Sequence, residues 1–411
     1  MSGRRLLREG LRPCLAVFLA ARIGLSLLSV VAVNLIEPLD PVDVPGRAGP
    51  PATQGWHNAI DATERQDAVW YLRLSDDGWS TDDASAAFFP LYPLTVRAVG
   101  WILPGDDLLA ALLVSNLAFL GALLALFALT AEAFGDRVAG RAIVVAAIFP
   151  TAFFFLAPYT ESLFLLLSVL AFREARHDRW DRVAIFGALA ALTRSVGILL
   201  IPALMVEAIW ASRTRGGDPR DPGSDRGSDP GSDPGSDPER VGRAGGGRPL
   251  ARLAGAAAIA LGPVSWFAWW GIVHRSWLAP LDAQQHWGRE LQPPWVSLGH
   301  AVELAWKFQS YWLLDLLIVS IAIAGLALAL PALRPSEAVY GALSLLLPVL
   351  DPFGDRPLLS VPRFAVVVFP ALWGLSGTGF GRKLPGSLVT SVLAAGWAVC
   401  VLLFVNWRHL F

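Results

Sequence analysis

The sequence predicts an all-α polytopic membrane protein of about eleven transmembrane helices, with a long extracytoplasmic first loop that carries amphipathic helices. Three observations carry that expectation. Hydrophobic residues make up 54% of the 411 and charged residues only 16%, whereas roughly a quarter of a soluble domain is charged. Apolar runs of about 18 residues or more, enough to cross roughly 30 Å of hydrocarbon as a helix, recur along the chain. The basic residues fall in short clusters between those runs, as topology signals do. With a net charge of -1, they leave no footprint for a nucleic acid.

The first run, 14–36, follows Arg4, Arg5, Arg8 and Arg12 and is too long for the 7 to 15 apolar residues of a signal-peptide core, so it is expected as an uncleaved first span. Arg22 inside it is expected to snorkel toward the cytoplasmic side. Later runs lie at 108–130, 141–157, 160–172, 183–193, 196–210, 251–273, 311–330, 337–350, 364–380 and 387–407. Those at 160–172, 183–193 and 337–350 are too short to cross alone and read as broken or re-entrant helices, which need protein or a watery cavity around their backbone. Cys14 and Cys400 fall near opposite faces of the membrane and are expected as free thiols.

Arg137, Arg141, Arg173, Arg176, Arg179, Arg182, Arg334, Arg382 and Lys383 alternate onto the side of the N-terminus, which the positive-inside rule makes cytoplasmic. The opposite side receives three Trp- and Pro-rich loops at 37–107, 274–310 and 351–363, so an external site is expected there. Between 214 and 247 the chain turns to Gly, Ser, Asp and Pro, with GSDP recurring. This reads as a disordered cytoplasmic linker between an N-terminal membrane part, 1–213, and a C-terminal part, 248–411.

In the first loop, Thr63 stands three residues before Gln66, the pattern of a capping box, which puts Asp67 in the first turn of a helix. Helical spacing then gathers Asp67, Trp70, Tyr71 and Leu74 on one face, a carboxylate beside aromatic rings. Such a face suits a sugar ring, and equally an interfacial helix whose Trp and Tyr sit among headgroups. Downstream, Phe88-Phe89-Pro90-Leu91-Tyr92-Pro93 is a turn stiffened by two prolines.

Taken together, QDAVWYLRLSDDGW followed by AFFPLYPL resembles the phosphatidylinositol-glycan class V family, the GPI mannosyltransferase 2 proteins and their bacterial relatives. FPTAFFFLAPYTESLFLLLSVLAF (149–172) and ALAALTRSVGILLIP (188–202) are similar to the family's second and third blocks. Ala283-Gln284 through Trp287-Gly288-Arg289, and Pro362-Arg363-Phe364 before Phe369-Pro370, extend the resemblance to about residue 370, with the linker unmatched. Gln66 stands where the family usually has Trp, and Trp79 where Tyr follows the Gly.

The resemblance implies a multi-span glycosyltransferase of superfamily C that takes mannose from a polyprenyl-phosphate carrier and passes it to an extracytoplasmic lipid or glycan acceptor. Asp67 matches the position of its base. A single carboxylate suffices when the leaving group is already a phosphate, unlike the paired carboxyls of a glycosidase. Asp61, Asp76, Asp77, Asp82 and Asp83 are rivals by composition, expected as solvated loop residues. Arg363, Arg194 and Arg289 are the candidates for the phosphate, since the guanidinium fork pairs with its oxygens. Arg194 interrupts an apolar stretch, and Glu161 is its expected partner. Trp70, Tyr71, Tyr92, Tyr159, Glu161, Gln284 and Trp287 are the expected sugar and acceptor pocket.

No cofactor is expected, and no metal, since His57, His286 and His300 are too scattered; activity retained in chelator checks this. Two lysines, Lys307 and Lys383, against many arginines point to a bacterial plasma membrane; a eukaryotic member would sit in the endoplasmic reticulum. Two other readings compete: a lipid or solute transporter, since broken helices with buried charges also mark transport paths, and a non-catalytic subunit of glycan assembly. No internal repeat supports the transporter, and the subunit would not need Asp67.

Overall fold

The computed structural model describes residues 9–103, 107–215, 243–285, 291–353 and 356–408, which hold helices and turns but no strand. After α1 (Leu11–Leu35), the first loop carries α2 (Asp67–Asp76) and α3 (Leu91–Gly100). The chain continues through α4 (Asp107–Phe134), α5 (Asp136–Ile148), α6 (Glu161–Arg176), α7 (Trp180–Ala191) and α8 (Leu200–Arg215). Past the linker come α9 (Arg243–Ala257), α10 (Leu261–Val273), α11 (Ala279–Gln285), α12 (Pro294–Phe308) and α13 (Ser310–Ala329). The last helices are α14 (Pro335–Leu350), α15 (Val361–Ala365), α16 (Phe369–Leu375) and α17 (Gly386–Val405).

Six helical stretches among the described residues are long and apolar enough to cross a membrane: Leu11–Leu35, Asp107–Phe134, Ser195–Thr214, Pro249–Val273, Ser310–Ala332 and Gly386–Val405. The remaining runs of the expected eleven are shorter helices. The run at 141–157 stops at Ile148, two residues before Pro150, because the residue preceding a proline is held out of the helical region. The run at 364–380 is not one helix: α15 and α16, five and seven residues long, carry Pro362 and Pro370 in their first turns, where a proline starts a helix and interrupts whatever precedes it. Apolar length alone cannot distinguish such pieces from a span. The expected linker is trimmed at both ends by helix, since α8 runs to Arg215 and α9 begins at Arg243; the rest of it lies outside the described residues.

The breaks place charge. Asp67 is the first residue of α2, Glu161 the first of α6, Arg194 follows α7, and Arg363 lies in α15. Both acids sit where the unpaired N–H groups of a helix start favour negative charge. Around them, one apolar core runs from Cys14 to Trp407 and joins both membrane parts. It closes tightly where α13 crosses α16: a Cβ on Gly374 would meet the carbonyl oxygen of Gly325 at 1.8 Å, so the two backbones touch as only small residues allow. Arg252 also ties the parts, with Nε and Nη2 donating to Asp178 at 2.7 and 2.9 Å. Both cysteines are buried and free.

Two local expectations are corrected. Thr63 does not cap α2: it ends a 3-10 turn over Asp61–Thr63, and its hydroxyl donates to the carbonyl of Ile60 at 2.7 Å. The N-cap is Gln66, in the left-handed half of backbone space at φ 54. Arg22 does not snorkel; its guanidinium donates to the carbonyls of Leu156 and Ala59, both at 3.2 Å, pinning α1 to the first loop.

At the far end of α2, Arg47 gathers three carboxylates: Glu64 at 2.9 Å, Asp76 at 3.2 Å and Asp107 at 3.8 Å. Burial, then the shared proton and charge of Asp107, raise the Asp76 carboxyl from 3.8 to about 6 against the pull of Arg47. A carboxyl raised on folding contributes stability that is full below its unfolded value and is lost as pH rises through its folded one. Thermal stability is therefore expected to fall between about pH 4 and about pH 6 relative to the Asp76→Asn protein; parallel pH profiles for the two proteins would contradict the shared proton.

Candidate active site

The four charged residues brought to the helix breaks form one cluster. Glu161 is fully buried at its centre, and its Oε1 accepts from Arg363 Nε while ion-paired to Arg194 Nη1 at 2.5 Å. Arg363 Nη1 donates to Asp67 Oδ2, and Nη2 donates to the Tyr71 hydroxyl at 3.2 Å. All three nitrogens of Arg363 are thus engaged. Its guanidinium also lies 4.6 Å from the ring centroid of Tyr159, and that of Arg194 4.6 Å from Phe364, so aromatic faces replace water around both cations. Two positive and two negative groups balance, as buried charge requires.

Local geometry aims these groups. Asp67 and Arg363 each follow a strained entry: Gln66 at φ 54 is held by its Nε2 donating to Arg408 O at 3.2 Å, and Ser360 sits at φ 68. Non-glycine residues in that region cost of order 1–3 kcal/mol and persist where surrounding structure dictates them. Arg65, just before the Asp67 helix, is buried and donates to Val405 O at 2.9 Å, fastening the loop to α17. The loop carrying Arg363 is anchored by a buried pair, Arg356 Nε to Asp315 Oδ2 at 2.7 Å.

Asp67, Tyr71, Arg194 and Arg363 line one pocket of about 170 Å³ with Phe88, Phe89, Thr193, Ser195, Phe353, Ser360 and Phe364. Asp67 is the carboxylate open to it: its side chain is 30% exposed while Glu161 is at 0%. Oδ2 is held by Arg363 and Oδ1 has no partner among the described residues. Burial raises the Tyr71 phenol above its ordinary value, with Arg363 opposing. It therefore stays protonated, and because its oxygen accepts from Arg363 its O–H remains available to a ligand.

Several expected pocket residues stand behind the wall instead. Tyr92 and Tyr159 pack edge-on to Tyr71 at 5.3 and 5.9 Å; their hydroxyls bond Ser115 Oγ at 2.8 Å and Arg65 O at 2.7 Å. Glu161 supports both arginines without reaching the pocket. Trp70 stacks on Phe88 at 5.2 Å and is 8% exposed, so α2 is a buried helix and not a headgroup anchor. Asp83 pairs with Arg73 at 2.8 Å, and Asp76 with Arg47; among the rival acids these two are structural. Trp287 and Arg289 lie outside the described residues, and Gln284 lies in α11, which packs on the Ala84–Ala87 turn.

Thr193, Ser195, Phe353 and Ser360 are lining residues that sequence reasoning missed. Thr193 and Ser195 flank Arg194 and were findable from it; Phe353 and Ser360 arrive through the Asp315–Arg356 anchor. An acid inside the apolar run of α13 was the available signal for that anchor. Trp79, the departure from the family pattern, has a defined role: Nε1 donates to Phe88 O at 2.9 Å, and its ring packs on Trp266 at 5.1 Å. It fastens the Phe88-Phe89 wall.

Residues 48–211 match the family described as mannosyltransferase (PIG-V). No curated protein sequence matches the chain. Among solved structures, ArnT from Cupriavidus metallidurans bound to undecaprenyl phosphate is similar at 14% identity and a TM-score of 0.46, over 96% of this chain and 76% of that one. The oligosaccharyltransferase of Archaeoglobus fulgidus in complex with zinc and sulfate is similar at 13% identity and a TM-score of 0.40, over 95% of this chain and 53% of that one. The archaeal oligosaccharyltransferase AglB with an inhibitory peptide and a dolichol-phosphate gives 13% identity and a TM-score of 0.40, over 96% and 56%. This chain spans about half the length of the two archaeal proteins.

Proposed function

We propose that this chain, whose residues 48–211 match the mannosyltransferase (PIG-V) family, is a membrane glycosyltransferase that transfers mannose from a polyprenyl-phosphate-mannose donor to an extracytoplasmic lipid or glycan acceptor, with inversion. The observation that carries the reading is one pocket lined by a carboxylate, Asp67, whose side chain is 30% exposed, and by an arginine, Arg194, whose one ion-pair partner among the described residues is Glu161 behind the wall. The first loop, 37–107, supplies the base and the two membrane parts supply the cations. The clusters of arginine between spans support a site on the extracytoplasmic side, of a bacterial plasma membrane in this reading.

In the reaction, an acceptor hydroxyl oxygen attacks the anomeric carbon, its proton passes to Asp67 Oδ1, and the C1–O electron pair leaves on the phosphate. The phosphate gains one negative charge as Asp67 loses one. With Asp67 neutral, Glu161 and the two arginines leave one net positive charge beside the leaving group, so the fixed charges favour the state in which transfer is under way. Arg363, already engaged by Glu161, Asp67 and Tyr71, orients the base. Arg194 is the better phosphate ligand, with Thr193 and Ser195 beside it.

Purified protein given radiolabelled polyprenyl-phosphate mannose and envelope lipid extract is expected to form an α-mannoside from the β-linked donor. A β-product would rule out the single displacement, and absence of any transfer across bacterial lipid extracts would favour the transporter or subunit. Arg194→Ala is expected to raise the donor KM by about tenfold or more, with Arg194→Lys intermediate, since a point charge replaces part of a bidentate fork.

A further inference from the structure

At the end of α5 and α16 remote from the pocket lies a groove of about 540 Å³ between α5, the end of α16 and the start of α17. Arg137 and Arg141, one helical turn apart on α5, both reach it and both are exposed. Neither has a hydrogen bond or ion pair among the described residues, although elsewhere in this chain arginines are paired again and again, as at Arg47, Arg173, Arg252, Arg334 and Arg356. Arg141 lies over Gly377, at φ 97, with Nη1 only 3.2 Å from where a Cβ would stand. No carboxylate is among the residues lining the groove.

The rest of the lining says what kind of anion fits. Val144, Val145, Leu384 and Val389 give an apolar wall continuing from the arginines along α5 and α17. Gly386–Val405 is long and apolar enough to cross a membrane, and the cations sit at the end of the groove where that helix starts. A free phosphate would use the cations and leave that wall bare. An alkyl chain alone would use the wall and bring two unpaired guanidinium groups no counter-charge. Gly386 and Ser387, also in the lining, start a 20-residue helix with no acid in its first turn and no side-chain cap, adding unpaired N–H groups on the same side.

We propose that this groove binds an anionic phospholipid, its phosphate between Arg137 and Arg141 and one acyl chain along the valine wall. Basic pockets between membrane helices take such headgroups. The bound lipid braces α5 against α16 and α17. That brace acts at a distance on the pocket: α5 leads into the segment whose Thr151 hydroxyl donates to Pro362 O at 2.8 Å, one residue before Arg363. The site is independent of the catalytic reading and stands or falls without it.

The test uses the full chain, delipidated in detergent and titrated separately with phosphatidylglycerol, phosphatidylcholine and inorganic phosphate. Native mass spectrometry reads retention and a thermal melt reads stabilisation. Phosphatidylglycerol is expected to remain bound and to raise the melting temperature, with neither effect from the other two. Arg137→Gln/Arg141→Gln, a change at two exposed side chains, is expected to weaken that binding about 25-fold, at about fivefold per cation, while melting like wild type without lipid. Equal retention of phosphatidylcholine would overturn the charge requirement, and equal stabilisation by phosphate alone would overturn the lipid. Unchanged phosphatidylglycerol binding by the double variant, whatever its own melting temperature, would overturn the site.

Discussion

Glu161→Ala is expected to destabilise the fold by about 3–5 kcal/mol, the range found when one partner of a buried ion pair is removed and the other is left uncompensated. Here two partners are left: Arg194 and Arg363 both contact Glu161 Oε1 and are themselves 6% exposed. Without the carboxylate they become neighbouring buried cations, with Asp67 alone to balance them. Glu161→Gln should fall between, since an amide oxygen still accepts from Arg363 Nε but carries no charge. Asp67→Asn, which leaves the Glu161 contacts in place and acts at a side chain already 30% exposed, should cost far less. Thermal melts of the three purified proteins check the order; a Glu161→Ala protein as stable as wild type would mean that the cluster does not need its central charge.

Glu161 also shows what was legible in the sequence and what was not. An acid and an arginine interrupting apolar runs must find partners, so an Arg194–Glu161 pair was readable from hydrophobicity alone. That Arg363 shares the same oxygen was not, because it lies 202 residues further along and no local pattern ties it there. The same divide runs through the fold. The long spans at 11–35 and 107–134 were evident from length and composition. The break of 364–380 into α15 and α16 was obscured because every residue from Phe364 to Phe369 is as apolar as a true span. Thr63 and Gln66 matched a capping pattern, but the Thr63 hydroxyl spends its bond on Ile60, a choice made by the preceding turn. Trp70 was readable as an aromatic neighbour of Asp67; its stacking on Phe88, away from the pocket, depends on where the proline-stiffened turn docks. Of the tyrosines, only Tyr71 reaches the pocket, and its helical spacing from Asp67 was the signal.

Asp67→Asn is expected to lower kcat for transfer by about 10²- to 10⁴-fold, the usual contribution of a positioned general base, with little change in the donor KM. The split follows from the geometry. Asparagine keeps an oxygen for Arg363 Nη1, so Arg363 remains oriented, and Arg194 still faces the pocket to take the phosphate. What is lost is the unpartnered carboxylate oxygen proposed to receive the proton. An interaction needed only as the bond forms lowers kcat and kcat/KM together. Asp67→Ala should behave differently: it also removes the partner of Arg363 Nη1, freeing that cation to swing onto the donor phosphate, so the donor should bind at least as tightly while transfer stays lost. If Asp67→Asn instead raised the donor KM and left kcat intact, the carboxylate would be a binding group and the base would have to be sought elsewhere. None of the other described acids in the first loop lines this pocket, and Glu161 is buried behind its wall. Full activity in the asparagine protein would therefore remove the carboxylate base altogether and leave the two arginines, stabilising a departing phosphate, as the whole of the catalysis.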